Sequence, residues 1–449
     1  LPVLPGTDVV LAYAVANRWV ARGSIDHAFM RAHAVEGADD FLAAAADWTP
    51  ERAAGVCGVP VADIERLADW WAGSARSMLR LGWGQERNRN GFASCRAVLA
   101  LPVLGGHFPR DERERGRGVA HSLSVSDLSG LSPRGRWPHE ALAAAPRRSV
   151  PMHQIGSWMA PDTDDPCRVL FVQGSNPMVM CPDTLAVRAA FERDDVFTVV
   201  HEQVLTDTAR YADVVLPATT SFELDDVAYA YGATAVMPVR AAISPVGESR
   251  SNDQVGLALA ASFGFDWTIE PVAAVVGVGD REAFTAKLPT LQFVDTVDRI
   301  RLTDAVHGVP VFTPPDGGFA VLSPSSTKMI NSIFGEFQGQ PVDVQVHPTD
   351  AAALGVVDGD LVDLVGRVTN ASVRVPVRVT PTVRPGVLVM PKGVWLRNHV
   401  DGLGVSALAP ATGDPVTNGA CFNDARVDVH RVADRAASDQ PRSVAAPAN

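Results

Sequence analysis

The chain has 449 residues, more than one hydrophobic core serves, so two to three domains are expected. An apolar fraction of 47% with 20% charged residues is the composition of a globular protein with a large buried core. A formal net charge of −12, with no basic stripe carrying interleaved aromatics, argues against a nucleic-acid partner.

"LPGTDVVLAYAVANRWVARGSID" predicts a helix with both ends marked: Pro5-Gly6 turns, Thr7 or Asp8 caps, Leu11, Val15 and Trp19 share a face, and Gly23 closes it. Two more helices are expected to start at Thr49-Pro50-Glu51 and near Pro60. Ser77 to Leu81 reads as a short buried strand emptying into "GWGQERNRNG", and "FASCRAVLALPVL" follows as a helix. Between Gly105 and Pro151 periodicity is lost, and a loop that long serves function or is disordered.

Strands and helices then alternate: "RVLFVQG", "VFTVVHEQ" and "DVVLPATT" as strands, "MVMCPDTLAVRAAFERD" as mostly helix, "LTDTARYA" as a turn or short helix. "SNDQVGLALAASFG" is a helix capped by Ser251 or Asn252 and ended by Gly264. The pattern predicts an α/β fold with a largely parallel sheet, which binds ligands at the carboxyl ends of its strands. From about Phe319, Val- and Gly-rich alternating runs with Asp-Gly and Pro-Gly turns predict a compact β-barrel, and the stretch from Ala433 reads as a frayed tail.

The chemistry gathers at strand ends. "VLFVQGSNP" runs four apolar residues into Gly174-Ser175-Asn176-Pro177, a turn whose bare backbone and small polar side chains suit a nucleotide's phosphate or ribose, or serve turn geometry alone. It is not G-x-G-x-x-G, which disfavours a standard NAD fold. His201-Glu202-Gln203 and Thr206-Asp207-Thr208 follow the next strand and strengthen the nucleotide reading. His201 has no second His or Cys at ligand spacing, there is no G-x-S-x-G elbow, and no metal ligand is assigned. Arg89 reads as solvated charge, whereas Arg96, among Ala93, Ala97, Leu99 and Ala100, either holds an interior anion or packs structurally. Five scattered cysteines without a C-x-x-C read as reduced thiols, neither a disulfide framework nor an iron–sulfur or zinc site. No apolar run approaches the roughly 18 residues of a transmembrane helix.

"PGTD", "GQERNRNG" before "RAVLALPVLGG", "QGSNP", "TDTARYADVVLPATTSFELDD", "GESRSNDQV", "HPTDAAALGVVDGDLVDL" and "VRPGVLVMPKGVW", in this order, resemble the molybdopterin oxidoreductases of the dimethyl sulfoxide reductase family, formate dehydrogenase-like branch. The resemblance runs from about Pro5 to Val429. It implies parallel-sheet nucleotide-binding α/β domains followed by a carboxy-terminal double-psi β-barrel. The expected division is the end of a first dinucleotide-binding domain (1–38), a domain for the second guanine dinucleotide (39–305, with the irregular loop 105–151), the barrel (306–432) and the tail (433–449).

The implied cofactor is bis-molybdopterin guanine dinucleotide with molybdenum or tungsten. Asp8 would contact one guanosine, and Gly174, Ser175, Asn176, His201, Glu202, Thr206 and Asp207 would line the other nucleotide. Ser406, Phe422 and Asn423 fall at expected pterin contacts, and Arg96 matches the arginine that faces the metal and holds an anionic substrate. Ser406 departs from the family's Asn, and "LGGHFPRDERERGRG" departs from its glycine-rich stretch. The family's amino-terminal part, with its 4Fe-4S cluster and metal ligand, has no counterpart here, so the chain is expected to be a carboxy-terminal portion, inactive alone. The resemblance further implies a small-molecule substrate, an electron-transfer protein or iron–sulfur or flavin subunit as partner, and a cytoplasmic location with the periplasm left open. A homologous non-catalytic scaffold without metal is the rival reading.

Overall fold

The computed structural model describes residues 1–108, 118–121, 149–161, 166–228, 235–266, 284–285, 299–303, 305–326, 329–339 and 341–432. The tail expected over 433–449 and most of the loop expected between Gly105 and Pro151 lie outside these residues.

Six helices come first: α1 (Asp8–Arg22), α2 (His27–Ala32), α3 (Ala38–Ala46), α4 (Pro50–Cys57), α5 (Val61–Gly73) and α6 (Gly91–Leu104). Ala12, Ala14 and Ala16 let neighbours approach α1 closely, and it packs on α3, α4, α5 and α6. Trp19 and Tyr13 are buried there, each side chain of that size contributing a few kcal/mol. Trp19 Nε1 donates to the Ala68 carbonyl at 2.8 Å, which satisfies the indole that burial would otherwise orphan. Gly23 ends α1 in the left-handed region at φ +66°, as the sequence predicts. The start differs: the Thr7 hydroxyl donates to the Leu4 carbonyl and caps nothing.

The division expected between residues 38 and 39 runs through the middle of this body. A single apolar cluster joins Val9 to Leu104 and takes in Leu302, because α1 is the shared packing partner of helices on both sides of that boundary. Strand β1 (Met78–Leu81) pairs in parallel with β2 (Gly118–His121).

The second body is the expected parallel sheet. Strands β3 (Val169–Gln173), β4 (Phe197–Glu202) and β5 (Val214–Pro217) lie in that order. Register aligns Gln173 with His201 and Glu202 with Pro217, so all three strands end at one level. Beside them stand α7 (Ile155–Trp158), α8 (Pro177–Met180) and α9 (Thr184–Phe191), sharing a core of Val172, Met178, Val187, Phe191 and Val200. The helical stretch after β3 is thus two pieces, broken at Cys181-Pro182-Asp183, where the Asp183 side chain caps α9. An antiparallel excursion follows with β6 (Asp226–Ala228), β7 (Ala235–Val239) and β8 (Phe284–Thr285). Helix α10 (Asn252–Ser262) opens on a capping box between Ser251 and Gln254.

The third body is the expected barrel. Strands β9 (Phe319–Leu322), β10 (Val344–Val346), β11 (Leu361–Gly366), β12 (Ser372–Val379), β13 (Val387–Val389) and β14 (Arg426–Arg431) close in the order β10-β12-β11-β14-β9-β13, with α11 (Pro348–Leu354) between β10 and β11. Alternate residues face in, among them Val362, Leu364, Val373, Val375 and Val377. Arg384 ties the barrel to the helical body: its Nη1 donates to the carbonyls of Pro2 (2.5 Å) and Cys57 (3.1 Å), its Nη2 to that of Gly58 (2.7 Å).

Candidate cofactor-binding site

The carboxyl ends of β3, β4 and β5 carry the first cluster. Gly174 N donates to the His201 carbonyl at 3.2 Å, which extends the ladder one residue past β3. Gly174 then turns at φ +55°, a conformation that favours glycine, and a β-carbon built there meets nothing within 4 Å. The backbone of the turn therefore faces open space. Ser175 is exposed beside it, and Pro177 starts α8 at a position where a missing N–H costs nothing.

Asn176 is 4% exposed. Its Oδ1 accepts from Thr208 N (3.2 Å) and Thr208 Oγ1 (2.7 Å), and Thr208 Oγ1 accepts in turn from Met178 N (3.1 Å). The turn after β3 and the turn after β4 are thereby one hydrogen-bonded unit. Thr206 belongs to it through Oγ1, which accepts from Ala209 N at 3.1 Å. Asp207 points the other way, to the barrel: its Oδ2 accepts from Leu396 N at 3.2 Å, and burial pushes its carboxyl above the usual range while Arg210 and Arg397 oppose this.

His201 is fully buried, with Nε2 3.1 Å from the Arg250 carbonyl, an acceptor, so Nε2 is the donor. Nδ1 of His201, Nδ2 of Asn176, Oγ1 of Thr198 and Oγ1 of Thr219 are buried without partners among the described residues. Glu202 is half-buried, its carboxyl raised by burial, and its Oε1 accepts from Gln203 N at 2.8 Å.

The remaining expected residues fall elsewhere. Ser406 Oγ donates to the Val179 carbonyl at 2.7 Å, so it joins the barrel to α8 at the back of the first cluster. Phe422 and Asn423 sit against the loop after β1. Asn423 N donates to the Arg87 carbonyl (2.8 Å), its Nδ2 to that of Gly84 (3.4 Å), and the Arg87 guanidinium stands 5.7 Å from the Phe422 ring centroid. Asp8 meets the same loop through Gln85, its carboxyl raised by burial, in a cleft of about 380 Å³ lined by Leu79, Gly82, Trp71 and Leu101.

Arg96 stands apart from both groups. Its Nη2 donates to the carbonyls of Leu302 (2.9 Å) and Gly308 (2.8 Å), and its guanidinium lies 5.2 Å from the Phe92 ring centroid. That nitrogen is spent on backbone, so the interior-anion reading retains only Nε and Nη1. Arg89, read as solvated charge, is an ion-pair centre instead: Nε to Asp424 at 2.6 Å and Nη2 to Asp316 at 2.8 Å. Asn176 and Thr208 needed a tertiary signal to be paired, since 32 residues separate them. Gln85 could have been found, because it lies in a loop leaving a strand end.

Among the described residues no three His, Cys, Asp or Glu side chains group as a metal site, and no helix is long and apolar enough to cross a membrane. All five cysteines are free of disulfides.

A parallel sheet whose turns are hydrogen-bonded at its carboxyl edge, the edge where open α/β sheets take ligands, is followed here by a closed six-stranded barrel. The Molybdopterin oxidoreductase family matches residues 1–262, and the molydopterin dinucleotide binding domain matches residues 323–426. The chain belongs to the molybdopterin oxidoreductase family.

A probable oxidoreductase of Bacillus subtilis (strain 168), YoaE, is 27% identical over 473 residues, spanning 96% of this chain and 68% of its own length. Trimethylamine-N-oxide reductase of Haemophilus influenzae is 25% identical over 493 residues, 88% of this chain and 59% of its own length. The chain thus spans three-fifths to two-thirds of these relatives. Acetylene hydratase from Pelobacter acetylenicus shares the fold with a TM-score of 0.74 at 14% identity, over 96% of this chain and 71% of that structure.

Proposed function

We propose that the chain is the carboxy-terminal cofactor-holding portion of a molybdenum or tungsten bis-molybdopterin guanine dinucleotide oxidoreductase, acting on a small substrate. The observation that carries this is the carboxyl edge of β3-β4-β5. There the open backbone of Gly174 shares the strand ends with Asn176 and His201, whose Nδ2 and Nδ1 are buried without partners among the described residues.

The residues fit a nucleotide. Buried polar atoms left unpaired cost about 1–3 kcal/mol each unless a ligand completes them. A donor on Asn176, an imidazole nitrogen on His201 and the carboxylate of Glu202 match the mixed donors and acceptors of a ribose and a guanine base. The Gly174 turn lets a phosphate lie on main chain, as no β-carbon stands in its way. Asp207, anchored on Leu396 N, orients the barrel over this edge. Asp8 and Gln85 would hold the second guanosine, with Phe422 and Asn423, packed against the loop that carries Gln85, at the pterin. Ser406 supports α8 through Val179 and acts as a positioning residue.

When bound, the metal and pterins supply two-electron redox chemistry. The chain's part is to hold the two nucleotide tails, exclude water at the buried edge and, through the free nitrogens of Arg96, attract an anionic substrate. A metal ligand, a 4Fe-4S cluster and a surface for an electron-transfer partner would be supplied outside the described residues.

Acid extraction of the full-length protein, with nucleotide chromatography and metal analysis, tests the reading. It expects two guanine nucleotides and one molybdenum or tungsten per chain. A correctly folded protein with neither is the metal-free scaffold, and the proposal fails.

A further inference from the structure

The sequence contains two Asn-Gly steps, Asn90-Gly91 and Asn418-Gly419. At such a step no side chain shields the backbone N–H that follows the asparagine, so the side-chain amide carbon is open to attack by its own main chain. The two steps differ in what holds them. Asn90 is 2% exposed. Its Nδ2 donates to the carbonyls of Gly6 (3.0 Å) and Thr313 (2.8 Å), its Oδ1 accepts from Thr313 N (2.8 Å), and Gly91 N donates to the Asn88 carbonyl (2.8 Å). Both the amide that would be attacked and the nitrogen that would attack it are tied down.

Asn418 is exposed, in the loop between β13 and β14, with φ at +56°. Its side-chain amide makes no hydrogen bond among the described residues and stands over bare Gly413, where a β-carbon would lie 2.6 Å from its Oδ1. Gly419 N donates to Thr417 Oγ1 (3.3 Å), and Thr417 Oγ1 donates to Asp414 Oδ1 (3.1 Å). A hydroxyl and a carboxylate thus line up behind the N–H that must lose its proton. Asp414 is 2% exposed and fixed in place: its Oδ1 also accepts from Val416 N (3.0 Å) and Thr417 N (2.8 Å), its Oδ2 from Phe92 N (2.9 Å) at the start of α6.

We propose that Asn418-Gly419 is a self-modifying site, at which the chain converts Asn418 to aspartate and isoaspartate. Gly419 N forms a bond to Asn418 Cγ while its proton passes through Thr417 Oγ1 to Asp414. The Cγ–Nδ2 bond breaks, and Nδ2 takes up that proton and leaves as ammonia, closing a succinimide. Water then opens the ring at one carbonyl to give aspartate or at the other to give isoaspartate; no oxidant or reductant enters.

The product carries a new negative charge in the loop and, as isoaspartate, an extra methylene in the main chain. Both fall within the turn closed by Asn418 N on the Asp414 carbonyl (2.9 Å) and by Asp414 N on the Gly419 carbonyl (2.8 Å). Asp414 ties this loop to α6 through Phe92 N, so the reaction loosens, irreversibly, a contact between the barrel portion and the helical body.

The test is ageing of the 449-residue chain in warm, mildly alkaline buffer, followed by peptide mass mapping and enzymatic methylation of isoaspartate. Isoaspartate should accumulate at residue 418, and about a hundredfold more slowly at residue 90, where three hydrogen bonds must open first. Thr417→Val, which keeps the branched shape and removes the relay, should slow formation at 418 several-fold. Asn418→Gly, suited to the positive φ, should abolish it and hold the melting temperature constant with age while that of the parent declines. No isoaspartate at 418, equal rates at 418 and 90, or a rate in Thr417→Val equal to that of the parent overturns the proposal. These readouts need no bound cofactor, so their outcome is independent of the proposed function.

Discussion

Asn176 accepts both the backbone N–H and the hydroxyl of Thr208, at 3.2 and 2.7 Å, from a position 4% exposed to solvent. Two turns that leave neighbouring strands are thereby locked in one arrangement before any ligand arrives. Asn176→Ala orphans both Thr208 donors and should cost about 1–3 kcal/mol, measured by denaturant unfolding. A change of a few tenths would show the circuit to be incidental.

Gly174 occupies the left-handed region, and replacement by Val should cost about 1–3 kcal/mol in backbone strain. The β-carbon meets no protein atom, so the fold survives, but the added side chain fills the space proposed for a nucleotide. Guanine released by acid extraction from Gly174→Val protein should fall well below that of the parent. Equal release would remove Gly174 from the proposed site.

Glu223 accepts backbone N–H groups from Thr220 (2.7 Å) and Val246 (2.6 Å) and a hydroxyl from Ser249 (3.3 Å), which lowers its carboxyl from 4.5 to about 2. A depressed carboxyl stabilises the fold above its unfolded value and loses that contribution as pH falls through its folded one. The melting-temperature gap between parent and Glu223→Gln should hold near pH 6 and shrink between about pH 4.5 and 2. A gap independent of pH across that window contradicts the assignment.

Asp424, with its side chain 4% exposed, pairs with Arg89 across 335 residues of sequence. Removing one member of such a pair leaves a buried charge without its partner, so Arg89→Ala should destabilise by about 3 kcal/mol. The double substitution Arg89→Ala, Asp424→Ala should cost less than the sum of the two singles. Strict additivity would mean the pair is not coupled.

Arg96→Ala in the complete enzyme should lower turnover while leaving pterin and guanine content intact. The same change removes the ties to Leu302 and Gly308, so a modest drop in melting temperature should accompany it. Normal turnover in a protein that has lost that stability would reduce Arg96 to a tether.

The elements that could be read from sequence are those whose causes are local. β3 and β4 are apolar runs ended by Gly174 and by His201-Glu202; α4 begins where Thr49 accepts from Arg52 N, ahead of Pro50; and α10 carries its cap in Ser251. What was illegible depends on partners far along the chain. Asn90 bridges the carbonyls of Gly6 and Thr313, 84 and 223 residues away, and Arg384 reaches Pro2 across 382. No periodicity encodes such pairs. Arg89 reads as solvated charge in the sequence because its carboxylate partners, Asp316 and Asp424, lie 227 and 335 residues further along the chain.

His201 fastens the Arg250 carbonyl, and Arg250 also takes part in a bridge with Ala218, its N–H donating to Pro217 O at 3.0 Å. The excursion from Thr219 to Arg250 therefore leaves and rejoins the sheet at a single point. Lengthening a loop closed at its base costs entropy only logarithmically. Insertions or deletions between those residues should leave the nucleotide edge undisturbed, which makes this annex a place where members of one family can differ in size and shape without giving up their common platform.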